Sequence, residues 1–259
     1  MPANQLPVVL CLSGHDPSGG AGIQADIETL AALGCHAATV ITALTVQDTT
    51  NVRDILPQKP EDLRRQVELL LADMPVAVIK IGLIGSAALA ETIAQLIVQY
   101  PDLPVVLDPV LAAGGGAALA DEKLLQTLRQ HLLPLTTVLT PNSLEARRLA
   151  GLIDLDACAQ WLLDKGCRHV LITGSHENRP EVINTLYSHS HQEAFRWQRL
   201  PHEYHGSGCT LAAAVAAYLA RGVNPLTAAR EAQRYTWHAL EAGFQPGQGQ
   251  YLPRRIANG

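Results

Sequence analysis

A chain of 259 residues with 47% hydrophobic content is long enough to bury the core of one large α/β domain or two small ones. A formal charge of −5, with no run of like charges, argues against a nucleic-acid backbone as partner. Five cysteines, an odd number without CxxC spacing, fit reduced thiols better than a disulfide framework. The first residues lack the features of a signal peptide and no apolar run reaches the ~18 residues of a spanning helix, so a cytoplasmic, non-membrane protein is expected.

In chain order, PVVLCL (7–12) reads as a buried strand, and SGHDPSGGAGIQAD (13–26) as a glycine-rich turn opening a helix over 22–33. That turn fits neither GxGxxG nor GxxxxGKS. Its glycines let backbone approach a ligand, although Asp16, Ser18 and Asp26 could equally serve as caps. TALTVQDTT (42–50) reads as a polar segment in which Gln47 offers a donor and an acceptor side by side, the pattern that reads an aminopyrimidine or pyridine edge. Taken alone, Gln47 reads better as an ordinary loop glutamine.

A helix over 60–73, a strand over 76–82 and a helix over 86–99 follow, then PVVLD (104–108) as a strand with Asp108 at its end. A carboxylate there suits a metal ion, a substrate hydroxyl or a turn. GGGAALAD (114–121) reads as a flexible loop before a helix over 121–131. Strand 136–140 meets Pro141, and Asn142 and Glu145, three apart, open a helix over 142–150 on one face, a spacing that also makes a capping box. Arg147 and Arg148 read as a solvated face of that helix, and a helix over 156–165 precedes a strand over 169–173.

From 181 to 200 two strand-like runs flank a polar turn, an expected edge hairpin, and two helices run from 208 onward. His189 and His191 lack acidic or cysteine partners in metal spacing, and Trp161, Trp197 and Trp237 read as core or interface residues. HGSGCTLAAA (205–214) places glycines where backbone N–H groups can face a phosphoryl group, with the positive end of a helix behind them. That position is expected to lower the pKa of Cys209, though a small packed residue reads equally well. Alternating strands and helices predict a three-layer α/β/α sandwich in a single domain, mainly parallel, with the ligand site at the strands' carboxyl ends.

Taken in order, DPSGGAGIQAD, ITALTVQDT, KIG (80–82), LDPV, TPNSLEA and HGSGCTLAAA resemble the hydroxymethylpyrimidine and phosphomethylpyrimidine kinases of the ribokinase-like superfamily, from about residue 7 to the C-terminal helices. The resemblance implies phosphoryl transfer from ATP to 4-amino-5-hydroxymethyl-2-methylpyrimidine and then to its monophosphate, with Mg²⁺, in a homodimer. It implies a pyrimidine pocket of Gly14, Ala21, Thr45, Gln47, Leu83 and Val110, with Asp26 nearby. Asp108, Asn142 and Glu145 would organise ATP phosphates and Mg²⁺, the metal through Asp108 and Glu145. Gly206, Ser207, Gly208 and Cys209 would form an anion hole with Cys209 as base.

Three departures stand out. TGSH (173–176) replaces the usual KGGH, so Thr173 stands where a lysine is expected near ATP, as in the nucleotide edge of pyridoxal kinases. Leu83 replaces a common methionine and Ser207 a common threonine. A pyridoxal or pyridoxine kinase is the nearest alternative.

Overall fold

The computed structural model describes residues 6–112 and 119–256. Its strands are β1 (Val8–His15), β2 (His36–Gln47), β3 (Val52–Pro57), β4 (Val76–Ile81), β5 (Val105–Leu107), β6 (Val138–Leu139), β7 (His169–Ile172), β8 (Glu181–Tyr187) and β9 (Gln192–Gln198). They form one nine-stranded sheet in the order β3-β2-β1-β4-β5-β6-β7-β8-β9. From β2 to β7 the pairing is parallel, while β3 pairs antiparallel with β2 on one side and β8 pairs antiparallel with both β7 and β9 on the other. The expected hairpin is thus present at one edge. The segment read as a polar stretch over 42–50 is instead largely the end of β2, paired with β3 into a second edge ribbon.

The helices are α1 (Gly22–Ala32), α2 (Pro60–Asp73), α3 (Ala87–Ile97), α4 (Glu122–Thr127), α5 (Ser143–Ala150), α6 (Leu155–Asp164), α7 (Ser207–Ala220) and α8 (Pro225–Glu241). Strand side chains alternate between two apolar layers, as the two-residue strand period requires. Leu10, Leu12, Ile79, Ile81 and Leu107 pack with Leu63, Leu89, Ile93, Leu149 and Leu162 from α2, α3, α5 and α6. Val9, Cys11, Val78, Val106 and Val138 face the opposite layer with Leu30 of α1 and the alanines of α7 and α8. The small side chains of α7 let it lie close across β1, β4 and β5, which brings its first turn to their carboxyl ends.

Asp121 caps α4, so the 114–121 loop ends on an ordered acidic cap, while its residues 114–118 lie outside the described residues. Ser86, Asp154 and Asn224 cap α3, α6 and α8 through their side chains. Neither α1 nor α7 has such a cap: their caps are Ala21 and Gly206. Their first backbone N–H groups are left to other partners, the arrangement that receives anions.

Candidate active site

Strand order reverses at β1, with β2 on one side and β4 on the other. At such a reversal the connecting loops part and leave a crevice beyond the strands' carboxyl ends. Gly14 lies there against Leu83, close enough that a Cβ on Gly14 would stand 2.8 Å from Leu83 Cδ2. Thr45 donates its hydroxyl to the His15 carbonyl at 2.9 Å, tying the end of β2 to β1, and half-buried Gln47 closes β2 at a register irregularity. Beyond β5, Val110 adopts φ +40°, alone among the described non-glycine residues in having positive φ.

Two loops meet over this crevice. Asp16 organises the first: its Oδ1 accepts the Ser18 N–H at 2.8 Å and the Ser18 hydroxyl at 2.7 Å, and its Oδ2 accepts the Ala21 N–H at 2.7 Å. His205 Nε2 lies 2.8 Å from the same Oδ2, joining this loop to the one before α7. Burial alone would raise the Asp16 carboxyl, but the His205 and Ser18 hydrogen bonds outweigh it and hold the carboxyl at about 2. Gly206 sits at φ +81° with its α-carbon against the Gly20 carbonyl, so a side chain there is opposed by both conformation and space. Buried Arg255 clamps the junction, donating to the Gly20 carbonyl, to Thr210 Oγ1 at 2.9 Å and to Glu28 Oε2 at 3.0 Å.

Beneath the loops lies a buried charge cluster. Lys80 Nζ is 2.8 Å from Asp26 Oδ1, with both side chains fully buried, and 3.0 Å from the Ser13 hydroxyl. Asp26 thus meets both Lys80 and the Ser13 hydroxyl, and its charge also reaches Cys209 and Asp108. Burial acts to lower the Lys80 pKa, yet Asp26, Cys209 and Asp108 together raise it, so the lysine is a fixed positive charge. Burial pushes Asp108 up to about 7, helped by Glu145 and opposed by Lys80. The position of a Cβ on Gly208 lies 3.6 Å from Asp108 Oδ2, so the glycine turn faces this carboxylate.

Cys209 corrects the sequence expectation. Burial pushes its thiol up to about 12; Lys80 and the Gly22 N–H oppose this, while Asp108 and Asp26 reinforce it. The helix N-terminus does not yield a low-pKa thiol in this setting, because desolvation beside two carboxylates outweighs it.

On the far side, Asn142 and Glu145 form a full capping box: Asn142 Oδ1 accepts the Leu144 and Glu145 N–H groups, and Glu145 Oε2 accepts the Asn142 N–H at 3.0 Å. Glu145 Oε1 accepts the Leu111 N–H at 3.0 Å. Burial raises Glu145 although both of those N–H groups act to lower it. Thr173 is stitched to the same helix start, its carbonyl accepting the Ser143 N–H and its N–H donating to Pro141, both at 2.9 Å. Arg147 and Arg148 are not a free solvated face: Arg147 pairs with Glu177 at 2.7 Å, and Arg148 donates to the Leu111 and Ala120 carbonyls at 3.1 and 2.5 Å.

Gly14, Ala21, Leu83, Asp108 and the Gly206–Cys209 turn thus gather around the ends of β1, β4 and β5. Thr45 and Gln47 flank them on β2, and Asn142 and Thr173 lie beyond β6 and β7. Sequence reasoning assigned no role to Lys80, His205 or Arg255, and took Arg148 for a solvated residue. A lone lysine inside the apolar run VAVIKIG was a readable signal, since a buried ammonium demands a partner. Arg255 carried no local signal.

Residues 16–254 match the family model for phosphomethylpyrimidine kinase. The chain belongs to the phosphomethylpyrimidine kinase family. A hydroxymethylpyrimidine/phosphomethylpyrimidine kinase of Streptomyces coelicolor is 39% identical over 249 residues, covering 94% of this chain and 92% of the relative. An ADP complex of Bacillus subtilis pyridoxal kinase superposes with a TM-score of 0.90 at 29% identity, over 97% of this chain and 98% of that one. A Clostridium difficile phosphomethylpyrimidine kinase superposes with a TM-score of 0.80 at 29% identity, over 91% of this chain and all, 100%, of its own. The three-layer, ribokinase-like architecture expected from the sequence is the one these kinases share.

Proposed function

We propose that the chain transfers the terminal phosphoryl group of ATP to the primary alcohol of 4-amino-5-hydroxymethyl-2-methylpyrimidine, and then phosphorylates that monophosphate to the diphosphate used in thiamine assembly. The observation that carries this reading is the meeting of two helix starts without side-chain caps, α1 and α7, with Asp108 at the strand-order reversal of a chain of this family. The pyrimidine ring lies among Gly14, Ala21, Thr45, Gln47, Leu83 and Val110, with the Gln47 amide reading a ring nitrogen and the amino group. Asn142 and Thr173 border the nucleotide.

In the reaction the substrate oxygen bonds to the γ-phosphorus as the bond to ADP breaks, and the hydroxyl proton passes to Cys209 after the thiol has given up its own proton, a form that is scarce in the ligand-free chain, where burial holds the thiol at about 12. Because the transition state is loose, catalysis depends most on positioning and charge dispersal, which the Gly206, Ser207 and Gly208 turn supplies. Lys80 and the Gly22 N–H favour the thiolate, and burial opposes it. Mg²⁺ fits the donor set in part, because Asp108 faces the glycine turn while both Glu145 oxygens already accept N–H groups. Asp108 would hold it directly and Glu145 only through water, and its charge would offset the carboxylate beside Cys209 and the phosphate oxygens.

A second reading, pyridoxal as an additional substrate, is favoured by Thr173 at the nucleotide edge and by the TM-score of 0.90 with pyridoxal kinase. Leu44, Val46 and Leu56 form an exposed apolar stripe on the β2–β3 ribbon that supports a homodimer, which sedimentation would detect. The five free cysteines and the use of ATP suit the cytoplasm.

The test is ADP release with the pyrimidine alcohol, its monophosphate and pyridoxal in parallel, with products identified by mass. Diphosphate from the first two substrates supports the reading. Turnover of pyridoxal alone overturns it.

A further inference from the structure

Val110 presents a conformational problem that the rest of the fold has to solve. A β-branched residue is strongly disfavoured at positive φ, yet Val110 is held at +40° between Pro109 and Leu111. On the near side, Asp108 is fixed by its N–H donating to the Ile81 carbonyl at 2.9 Å. On the far side the backbone of buried Leu111 is gripped at both its polar groups by one helix. Its N–H donates to Glu145 Oε1 at 3.0 Å, and its carbonyl accepts Arg148 Nη1 at 3.1 Å.

Glu145 and Arg148 are three apart, hence neighbours on one face of α5, and that face is itself anchored. Arg148 also donates to the Ala120 carbonyl at 2.5 Å, and its own carbonyl accepts Arg129 Nη2 at 2.8 Å. The other oxygen of Glu145 accepts the Asn142 N–H, next to the Ser143 N–H that holds Thr173. A single rigid helix therefore links the border of the nucleotide to the wall of the ring pocket.

We propose that Arg148, acting with Glu145 on the Leu111 peptide groups, is a positioning residue that holds Val110 in its left-handed conformation and so sets the wall of the substrate pocket. The inference rests on the reading that Val110 lines the ring pocket. It assigns Glu145 a backbone-holding task distinct from any contact with phosphate or metal.

The experiment is a double-mutant cycle of Arg148→Ala and Val110→Gly, with KM for the pyrimidine alcohol, KM for ATP, kcat and the unfolding midpoint measured for each protein. Glycine takes positive φ freely, so Val110→Gly removes the conformation that needs holding. With Val110 present, Arg148→Ala is expected to raise KM for the alcohol about tenfold while kcat and KM for ATP change by less than about threefold. With glycine at 110, the same substitution is expected to change KM by less than about twofold, a non-additivity that a merely structural arginine does not produce. Equal KM effects in both backgrounds, or no KM effect with valine, would overturn the proposal.

Should Arg148→Ala fail to fold, Arg148→Met, which keeps most of the side-chain volume but donates to neither the Leu111 nor the Ala120 carbonyl, replaces it and is judged by the same two comparisons. The wild-type protein decides the substrate reading separately: if it phosphorylates only pyridoxal, that reading fails and the cycle is scored on KM for pyridoxal.

Discussion

Replacing Lys80 by methionine removes one half of a fully buried ion pair while keeping most of the side-chain volume. In the wild type the ammonium lies 2.8 and 3.1 Å from the two Asp26 oxygens and 3.0 Å from the Ser13 hydroxyl. In Lys80→Met the carboxylate keeps only the Ser13 hydroxyl, at 2.7 Å. Breaking a buried pair by deleting one partner costs roughly 3–5 kcal/mol, because a desolvated charge is left unmatched. For a chain of this size each kcal/mol moves the thermal midpoint by about 2–4 °C, so a fall of roughly 6–20 °C is expected.

The double variant Lys80→Met/Asp26→Asn removes both charges and is expected to recover most of that loss. Its kcat should nevertheless stay about 10²-fold low, since the positive charge facing Cys209 and Asp108 is gone. Urea unfolding followed by circular dichroism, with m-values compared, and steady-state kinetics measure both. A Lys80→Met protein within about 1 kcal/mol of wild type, or a double variant no more stable than the single, would refute the reasoning.

Gly206→Ala should cost about 1–2 kcal/mol from its positive φ, and activity should fall about 10²-fold as the new methyl drives the glycine turn off the Gly20 carbonyl; wild-type kcat in this variant contradicts the assignment. Asp16 has its pKa depressed in the folded chain, so its contribution, about 1–2 kcal/mol, is present above its unfolded value of ~3.9. It is lost as the pH falls through about 2, so the stability gap between wild type and Asp16→Asn should narrow from pH 6 to pH 2.5; a constant gap speaks against it. Without ligands, Cys209 should react slowly with iodoacetamide at pH 7 and about tenfold faster per pH unit above that, read by mass, because its thiol is held near 12; fast labelling at pH 7 would show that burial does not govern the thiol.

The parallel core of the fold was legible because β1 and β4 to β7 are near-continuous Val, Ile and Leu runs, as strands covered on both faces must be. β2 and β3 escaped because they form a half-exposed ribbon: Thr45 and Gln47 face inward where Leu44 and Val46 face solvent, which inverts the usual polarity signal. The glycine turns and the Asn142–Glu145 box were readable as local chemistry. The charges that support them were not, since Arg148 meets Leu111 across 37 residues and His205 meets Asp16 across 189. The depressed thiol expected at Cys209 failed for the same reason: a helix N-terminus is visible in sequence, but the burial that raises the thiol, and the lesser push of Asp108 and Asp26, come from parts of the chain that meet only in the fold.

The Arg255 clamp has a consequence for how the enzyme comes into being. Gly20 and the guanidinium that grips its carbonyl lie 235 residues apart in the chain. Closing so long a loop lags behind the more local pairing of the strands, so the sheet can form with its first loop unsupported and the catalytic crevice acquires its final shape last. Arg255→Ala should therefore silence the kinase while leaving most of its sheet in place.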